Sequence, residues 1–219
     1  MTYEEALSFS LGNDVLLEGN LTIPPRAKGL VVFAHGSGSS RFSPRNRFVA
    51  EMLHKKQLAT LLIDLLTKEE SIVDESTGEF RFNIDLLASR LVDLTAQLLK
   101  NPGTQKLPIG YFGASTGAAA ALIAASRGEN IFAVVSRGGR PDLAFSYLSK
   151  VKAPTLLIVG GHDLEVLALN KHAYEYLSCV KKIEVVPGAT HLFEEKGALE
   201  QVALLAANWF SSQIDLLAM

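Results

Sequence analysis

The chain has 219 residues, 48% of them hydrophobic and 20% charged, with a formal net charge of −2. That length suits one α/β domain with a full core, and the near-neutral balance gives no electrostatic footing for nucleic acid or an anionic membrane as partner. Cys179 is the only cysteine, which excludes an intramolecular disulfide; with an acidic N-terminus lacking an apolar signal core and no uninterrupted apolar run of about 18 residues, a cytoplasmic protein is the expectation.

Residues 7–11 and 15–23 read as two strands joined by the turn Gly12-Asn13-Asp14, a hairpin, ended by Pro24 and Pro25. Residues 29–34 are wholly apolar, as in a strand covered on both faces, and open into the loop His35-Gly-Ser-Gly-Ser-Ser40. Helical spacing follows over 46–56, then a buried strand over 58–63. The stretch 68–81 is polar and acidic and reads as a loop. Ile84, Leu87, Leu91, Leu94 and Leu98 mark an amphipathic helix.

The next stretch, 107–122, is a buried strand, a tight turn and a helix opening on small residues, with Ser115 in the turn between Gly113 and Gly117. This Gly-x-Ser-x-Gly pattern meets the demands of a nucleophile elbow: a serine in a strained backbone conformation, with no side chain at either flank to collide across the turn. Strands are then expected over 131–135, 155–159 and 183–186, alternating with helices from 143, over 167–180 and over 198–214. The alternation predicts a doubly wound, mostly parallel α/β sheet with an antiparallel N-terminal hairpin, built as one domain over 1–219 without a cap.

Ligands of open parallel sheets bind beyond the C-terminal strand ends. Ser115, Asp163 and His191 each follow a different strand, in the order Ser, Asp, His. A serine hydroxyl is a poor nucleophile at neutral pH, so His191 is expected to take its proton during attack on an acyl carbon. Asp163 would hold the other ring nitrogen. The resulting oxyanion needs preorganised donors, for which the backbone N–H groups of Thr116 and Ser37 are the candidates. Gly36 and Gly38 would let the loop backbone approach the substrate. Arg41 and Arg137 border the same strand ends and are candidates to hold a substrate carboxylate, unless they are paired with nearby acids.

His35 reads as loop-shaping, and His54 and His172 have no partner at metal-ligand spacing, so neither metal nor cofactor is implied. The glycine-rich segments lack the third glycine of a dinucleotide fingerprint and the Lys-Ser/Thr of a phosphate loop.

Gly-Ala-Ser-Thr-Gly at 113–117, His-Gly-Ser-Gly at 35–38, Gly-His-Asp at 161–163 and Gly-Ala-Thr-His at 188–191 together resemble the α/β-hydrolase superfamily. The small size, with no cap after the strand at 131–135, resembles its dienelactone-hydrolase-like branch. Dienelactone hydrolases use a cysteine nucleophile, whereas position 115 is serine. The resemblance therefore implies a serine carboxylesterase acting on a small-molecule ester or lactone. Acyl transfer, thioester cleavage and a non-catalytic ligand-binding protein on the same fold are the alternatives. No oligomeric state is implied.

Overall fold

The computed structural model describes residues 2–12, 15–128 and 130–217, so Asn13 and Asp14 of the expected turn lie outside the described residues. Its strands are β1 (Tyr3–Ser10), β2 (Leu16–Ile23), β3 (Gly29–Ala34), β4 (Leu58–Ile63), β5 (Ile109–Ala114), β6 (Ile131–Arg137), β7 (Thr155–Gly160) and β8 (Lys181–Val186). The helices are α1 (Pro44–His54), α2 (Lys68–Thr77), α3 (Ile84–Leu98), α4 (Thr116–Arg127), α5 (Leu164–Tyr176) and α6 (Ala198–Leu217), with a 3-10 helix over Pro141–Lys150.

The strands form one eight-stranded sheet in the order β1-β2-β4-β3-β5-β6-β7-β8. β1 and β2 pair antiparallel, β2 pairs antiparallel with β4, and every later pairing is parallel. Every residue of β3 through β7 is buried. Continuous apolar runs in the sequence therefore become strands covered on both faces. On one face α3, α4 and the 3-10 helix pack over Leu30, Val32, Leu61 and Tyr111. On the other, α1 and α6 pack over Val31, Phe33, Phe112 and Ile158.

Tyr111 is almost wholly buried, and its hydroxyl shares a 2.7 Å hydrogen bond with Thr95 of α3. Burial pushes its pKa up to about 12, against a smaller opposing effect of that bond. On the opposite face the rings of Phe33 and Phe112 lie 4.7 Å apart.

The segment 68–81, expected to be a loop, contains α2. The Thr67 side chain accepts from the Glu70 N–H while the Glu70 carboxylate accepts from the Thr67 N–H, and Gly78 closes the other end in a left-handed conformation. Such end-capping substitutes for the apolar stripe that α2 lacks. The helix expected from Leu143 is instead a 3-10 helix that starts at Pro141, and α5 stops at Tyr176. The rest of the expected alternation is present.

Phe112 is fully buried in the central strand, so Phe112→Ala should remove its transfer energy and leave a cavity, costing about 3–5 kcal/mol of unfolding free energy in a denaturant titration. A loss under about 1 kcal/mol would mean that this face of the core collapses onto the gap.

Candidate active site

β5 delivers the chain to Ser115 with backbone to spare on neither side. A Cβ on Gly113 would lie 2.4 Å from the Ala118 Cα, and one on Gly117 would lie 2.3 Å from the Ala34 carbonyl oxygen and 2.4 Å from that of His35. Between these glycines Ser115 adopts φ 50 and ψ −121. A non-glycine residue in such a region costs roughly 1–3 kcal/mol and persists only where its surroundings over-determine it. Here three hydrogen bonds do so: the Ser115 N–H donates to the Arg137 carbonyl at 3.2 Å, and its own carbonyl accepts from Arg140 N–H and Ala118 N–H, each at 3.1 Å. The Ser115 hydroxyl makes no hydrogen bond among the described residues and is left half-buried at the N-terminus of α4.

Asp163 and His191 come together at the ends of β7 and β8, with His191 Nδ1 2.7 Å from Asp163 Oδ2. The carboxylate accepts, so Nδ1 carries the proton and the other ring nitrogen, Nε2, is free to act as a base. Asp163 is the more enclosed partner, with 14% of its side chain exposed against 38% for His191. The imidazole is seated on the loop that holds the elbow: a Cβ on Gly138 would lie 3.5 Å from His191 Cε1. Residues 137 and 138 thus contact the serine through one backbone group and the histidine through the next.

The loop after β3 crosses the elbow closely. A Cβ on Gly36 would be 3.0 Å from the Ser115 Cβ. The expected close approach at Gly36 is therefore to the serine itself. Gly38 has φ 69, and a Cβ there would lie 3.9 Å from Arg81 Nη1. The Ser37 N–H is engaged: it donates to Thr116 Oγ1 at 3.0 Å. His35 donates from Nδ1 to the Gly36 carbonyl at 2.9 Å, and its Nε2 is 3.7 Å from Asp64 Oδ1. These contacts fit the loop-shaping role expected of it.

A cleft of about 400 Å³ opens on the Thr116 side of the elbow. The 35–40 loop and Thr116 form one wall; Asp64, Leu65 and Leu66 lie beyond them, and Ser71, Asp74, Glu75 and Arg81 contribute from α2 and the turn after it. Asp74, 3% exposed, accepts from the Phe80 and Arg81 N–H groups and from Arg81 Nε. Burial pushes its carboxyl up, but the hydrogen bonds from Arg81 and Phe80 outweigh this and hold it below the ordinary carboxylate value. Glu70 behaves alike: burial raises it, and the bidentate Arg90 guanidinium with the Thr67 N–H bring it down.

Of the two candidate arginines, Arg41 is paired with nearby acids and Arg137 is buried. Arg41 does not line this cleft; its guanidinium is held by Asp64 and by Glu18, the latter at 2.7 Å, and stacks on Phe42. Arg140 pairs with both oxygens of Asp142. Arg137 does not line the cleft either. It is 9% exposed and, by strand alternation, lies on the face of Ala133 and Val135, under α1 and α6. Burial, with Arg45 nearby, pulls its guanidinium down to about 10, and its Nη1 is buried without a hydrogen-bond partner among the described residues.

The arginine on the cleft is Arg81, whose Nη1 has no hydrogen-bond partner among the described residues. The sequence marks it poorly, because the 68–81 segment has no apolar stripe. The legible signal was Thr67-Lys-Glu-Glu70, a capping box. Asp64, directly after β4, was legible from its place at a strand end. Among the described residues no cluster of three or more His, Cys, Asp or Glu side chains is arranged to hold a metal ion, and no helix is long and apolar enough to cross a membrane.

Residues 19–218 match the model of the dienelactone hydrolase family. The crystal structure of a dienelactone hydrolase from Anabaena variabilis superposes with a TM-score of 0.93 at 61% sequence identity, covering 95% of this chain and 97% of that one. Est1E from Butyrivibrio proteoclasticus shares the fold, with a TM-score of 0.81 at 16% identity over 96% and 99% of the two chains. Two Mycobacterium tuberculosis proteins that carry the provisional name phosphoribosyl transferase are 59% identical over 197 residues, 90% of this chain. The chain spans 44% of the length of those curated relatives.

The ion pairs of α2 give its hold on the cleft a pH dependence. Both carboxyls are depressed in the folded chain, so their stabilisation is complete above the unfolded carboxylate value of about 4 and is lost as pH falls through the lower folded values. Amide exchange in α2, corrected for intrinsic rate, should accelerate there before that of β5. Arg90→Ala should loosen α2 in the same way at neutral pH. Equal protection of α2 in wild type and variant would remove Arg90 from this role.

Proposed function

Because the chain belongs to the dienelactone hydrolase family, we propose that it is a serine hydrolase that cleaves a small carboxylic ester or lactone through an acyl-enzyme on Ser115. The observation that carries this reading is the strained, uncapped serine at the N-terminus of α4, which shares the 137–138 loop with an imidazole whose Nδ1 is fixed by Asp163 at 2.7 Å. Nothing in a strand-to-helix turn requires a serine at φ 50. A residue held there against its conformational preference is accounted for by the hydroxyl it presents.

In this reading His191 Nε2 takes the Ser115 proton as Oγ attacks the acyl carbon, and Asp163 stabilises the imidazolium. The proton then passes to the leaving oxygen, and the alcohol departs. A water repeats the sequence against the acyl-enzyme, with His191 again as base, releasing the carboxylic acid and restoring Ser115. The Thr116 N–H, at the positive end of α4, supports the tetrahedral oxyanion. The cleft of about 400 Å³ beside Thr116 suits a small acyl group. Serine at 115 leaves a general ester or lactone as the substrate class. The transferase name of the mycobacterial relatives describes proteins of which this chain spans 44% of the length.

A fluorophosphonate probe should label the wild type and not Ser115→Ala. If the folded wild type takes up no label, the protein is a ligand-binding member of the fold and the hydrolase reading fails. Asp163→Asn should retain labelling weakly and lower kcat on an active aryl ester by about three to four orders of magnitude, since the wrong imidazole tautomer is then favoured. A variant with near wild-type kcat would move the acid to another residue. A panel of esters, lactones and thioesters, with and without an alcohol acceptor, separates hydrolysis from acyl transfer.

A further inference from the structure

The usual pair of oxyanion donors at such a site is two backbone N–H groups, and the one expected from Ser37 is not free. An N–H has one proton, and Ser37 gives its proton to Thr116 Oγ1 at 3.0 Å. An oxyanion would have to displace the Thr116 hydroxyl to reach it. That hydroxyl, however, retains its own proton after accepting from Ser37, and among the described residues it donates to no protein group. Thr116 is 4% exposed and lines the cleft together with Ser37. Its O–H therefore lies at the cleft wall on the same residue as the Thr116 N–H, one of the unpaired donors at the start of α4.

We propose that the Thr116 hydroxyl is itself an oxyanion donor, held and polarised by the Ser37 N–H, so that Thr116 supplies both its N–H and its O–H to the tetrahedral intermediate. This rests on the serine hydrolase reading above. Three features favour it physically. Threonine is β-branched, so its χ1 is restricted and the hydroxyl is fixed before substrate arrives. A hydroxyl that accepts a hydrogen bond becomes a stronger donor. The loop bearing Ser37 is in turn set by Gly36 lying against Ser115, which ties the donor's position to the nucleophile.

The substitution that discriminates is Thr116→Val, which keeps the shape, removes the O–H and leaves the Ser37 N–H free. If Ser37 were the true second donor, kcat would be unchanged or higher. On the present inference kcat for an aryl ester falls about 100- to 1,000-fold with little change in KM, as when one oxyanion donor is lost. Thr116→Ser, which retains the hydroxyl, should recover most of that loss. The rate of phosphonylation by a fluorophosphonate should fall in parallel, because the same oxygen develops charge. Should the valine variant fail to fold, Thr116→Ala removes the same hydroxyl and is expected to show the same drop.

Valine or alanine variants that fold and keep the wild-type kcat overturn the role of the hydroxyl while leaving the hydrolase reading intact. A loss in the serine variant as large as that in the valine variant also overturns it. A wild type that turns over no ester and takes up no label overturns the hydrolase reading, and this inference with it.

Discussion

Everything at the site depends on how closely α4 is drawn against β3 and β5. The Gly117 backbone sits where even a methyl group would meet the carbonyl oxygens of Ala34 and His35, and Gly113 has no room for one against Ala118. The four alanines at 118–121 are fully buried and continue that approach along the helix. With the helix start pinned to two strand ends, the chain has to turn within a single residue, and Ser115 takes the strain. The same contact brings the N-terminus of α4 within hydrogen-bond reach of the 35–40 loop, joining Thr116 to Ser37. The strain at Ser115, the Thr116–Ser37 contact and the cleft wall beside them are thus consequences of one backbone packing constraint.

The loop after β6 closes the other side. Its expected contribution was the side chain of Arg137; its observed contribution is backbone. The Arg137 carbonyl and the Arg140 N–H bracket Ser115, and Gly138 provides the floor under His191. The Arg137 guanidinium meanwhile faces away, into the α1 and α6 layer, where burial keeps its pKa near 10. That value still leaves it charged at neutral pH, so a positive charge lies beneath the C-terminal strand ends. Arg41, by contrast, is neutralised by Asp64 and Glu18 and serves to tie the 35–40 loop to β4 and β2.

The strands and most helices were legible because burial imposes periodicity: wholly apolar runs for β3 to β7, and a stripe at three- and four-residue spacing for α3. Ser115, Asp163 and His191 were legible because each is a reactive residue type in the turn or loop after a strand, although β8, which precedes His191, is only partly buried. What escaped had no apolar pattern to betray it. α2 buries only Asp74, and its hold is electrostatic, through Glu70 to Arg90, Asp74 to Arg81 and Lys68 to Glu18. Ion pairs are made between residues far apart in sequence or spaced without helical regularity, so neither hydropathy nor short motifs reveal them. Arg41 and Arg137 show the converse. Their nearness to strand ends is legible, but Arg137 is the last residue of β6 rather than part of the loop after it, and the direction of its side chain depends on strand register.

A cleft wall held by charge has a physical consequence that an apolar wall lacks. Apolar packing would commit α2 to the core at a cost proportional to area, and opening it would expose that area to water. A charged mooring depends instead on how far its partners are buried: Lys68 is exposed and its pair with Glu18 is worth little, whereas Arg90 is buried, so releasing Glu70 would leave a guanidinium without its carboxylate. Here Asp74 and Arg81 form an internal brace within the 68–81 segment, while Glu70 and Lys68 reach outside it, to Arg90 and Glu18. Among the described residues those two outer pairs are the segment's charged moorings to the rest of the fold. Arg81 and Glu75 therefore keep their place on the cleft wall through the buried Arg90 rather than through apolar packing, opposite an elbow held by close backbone contacts.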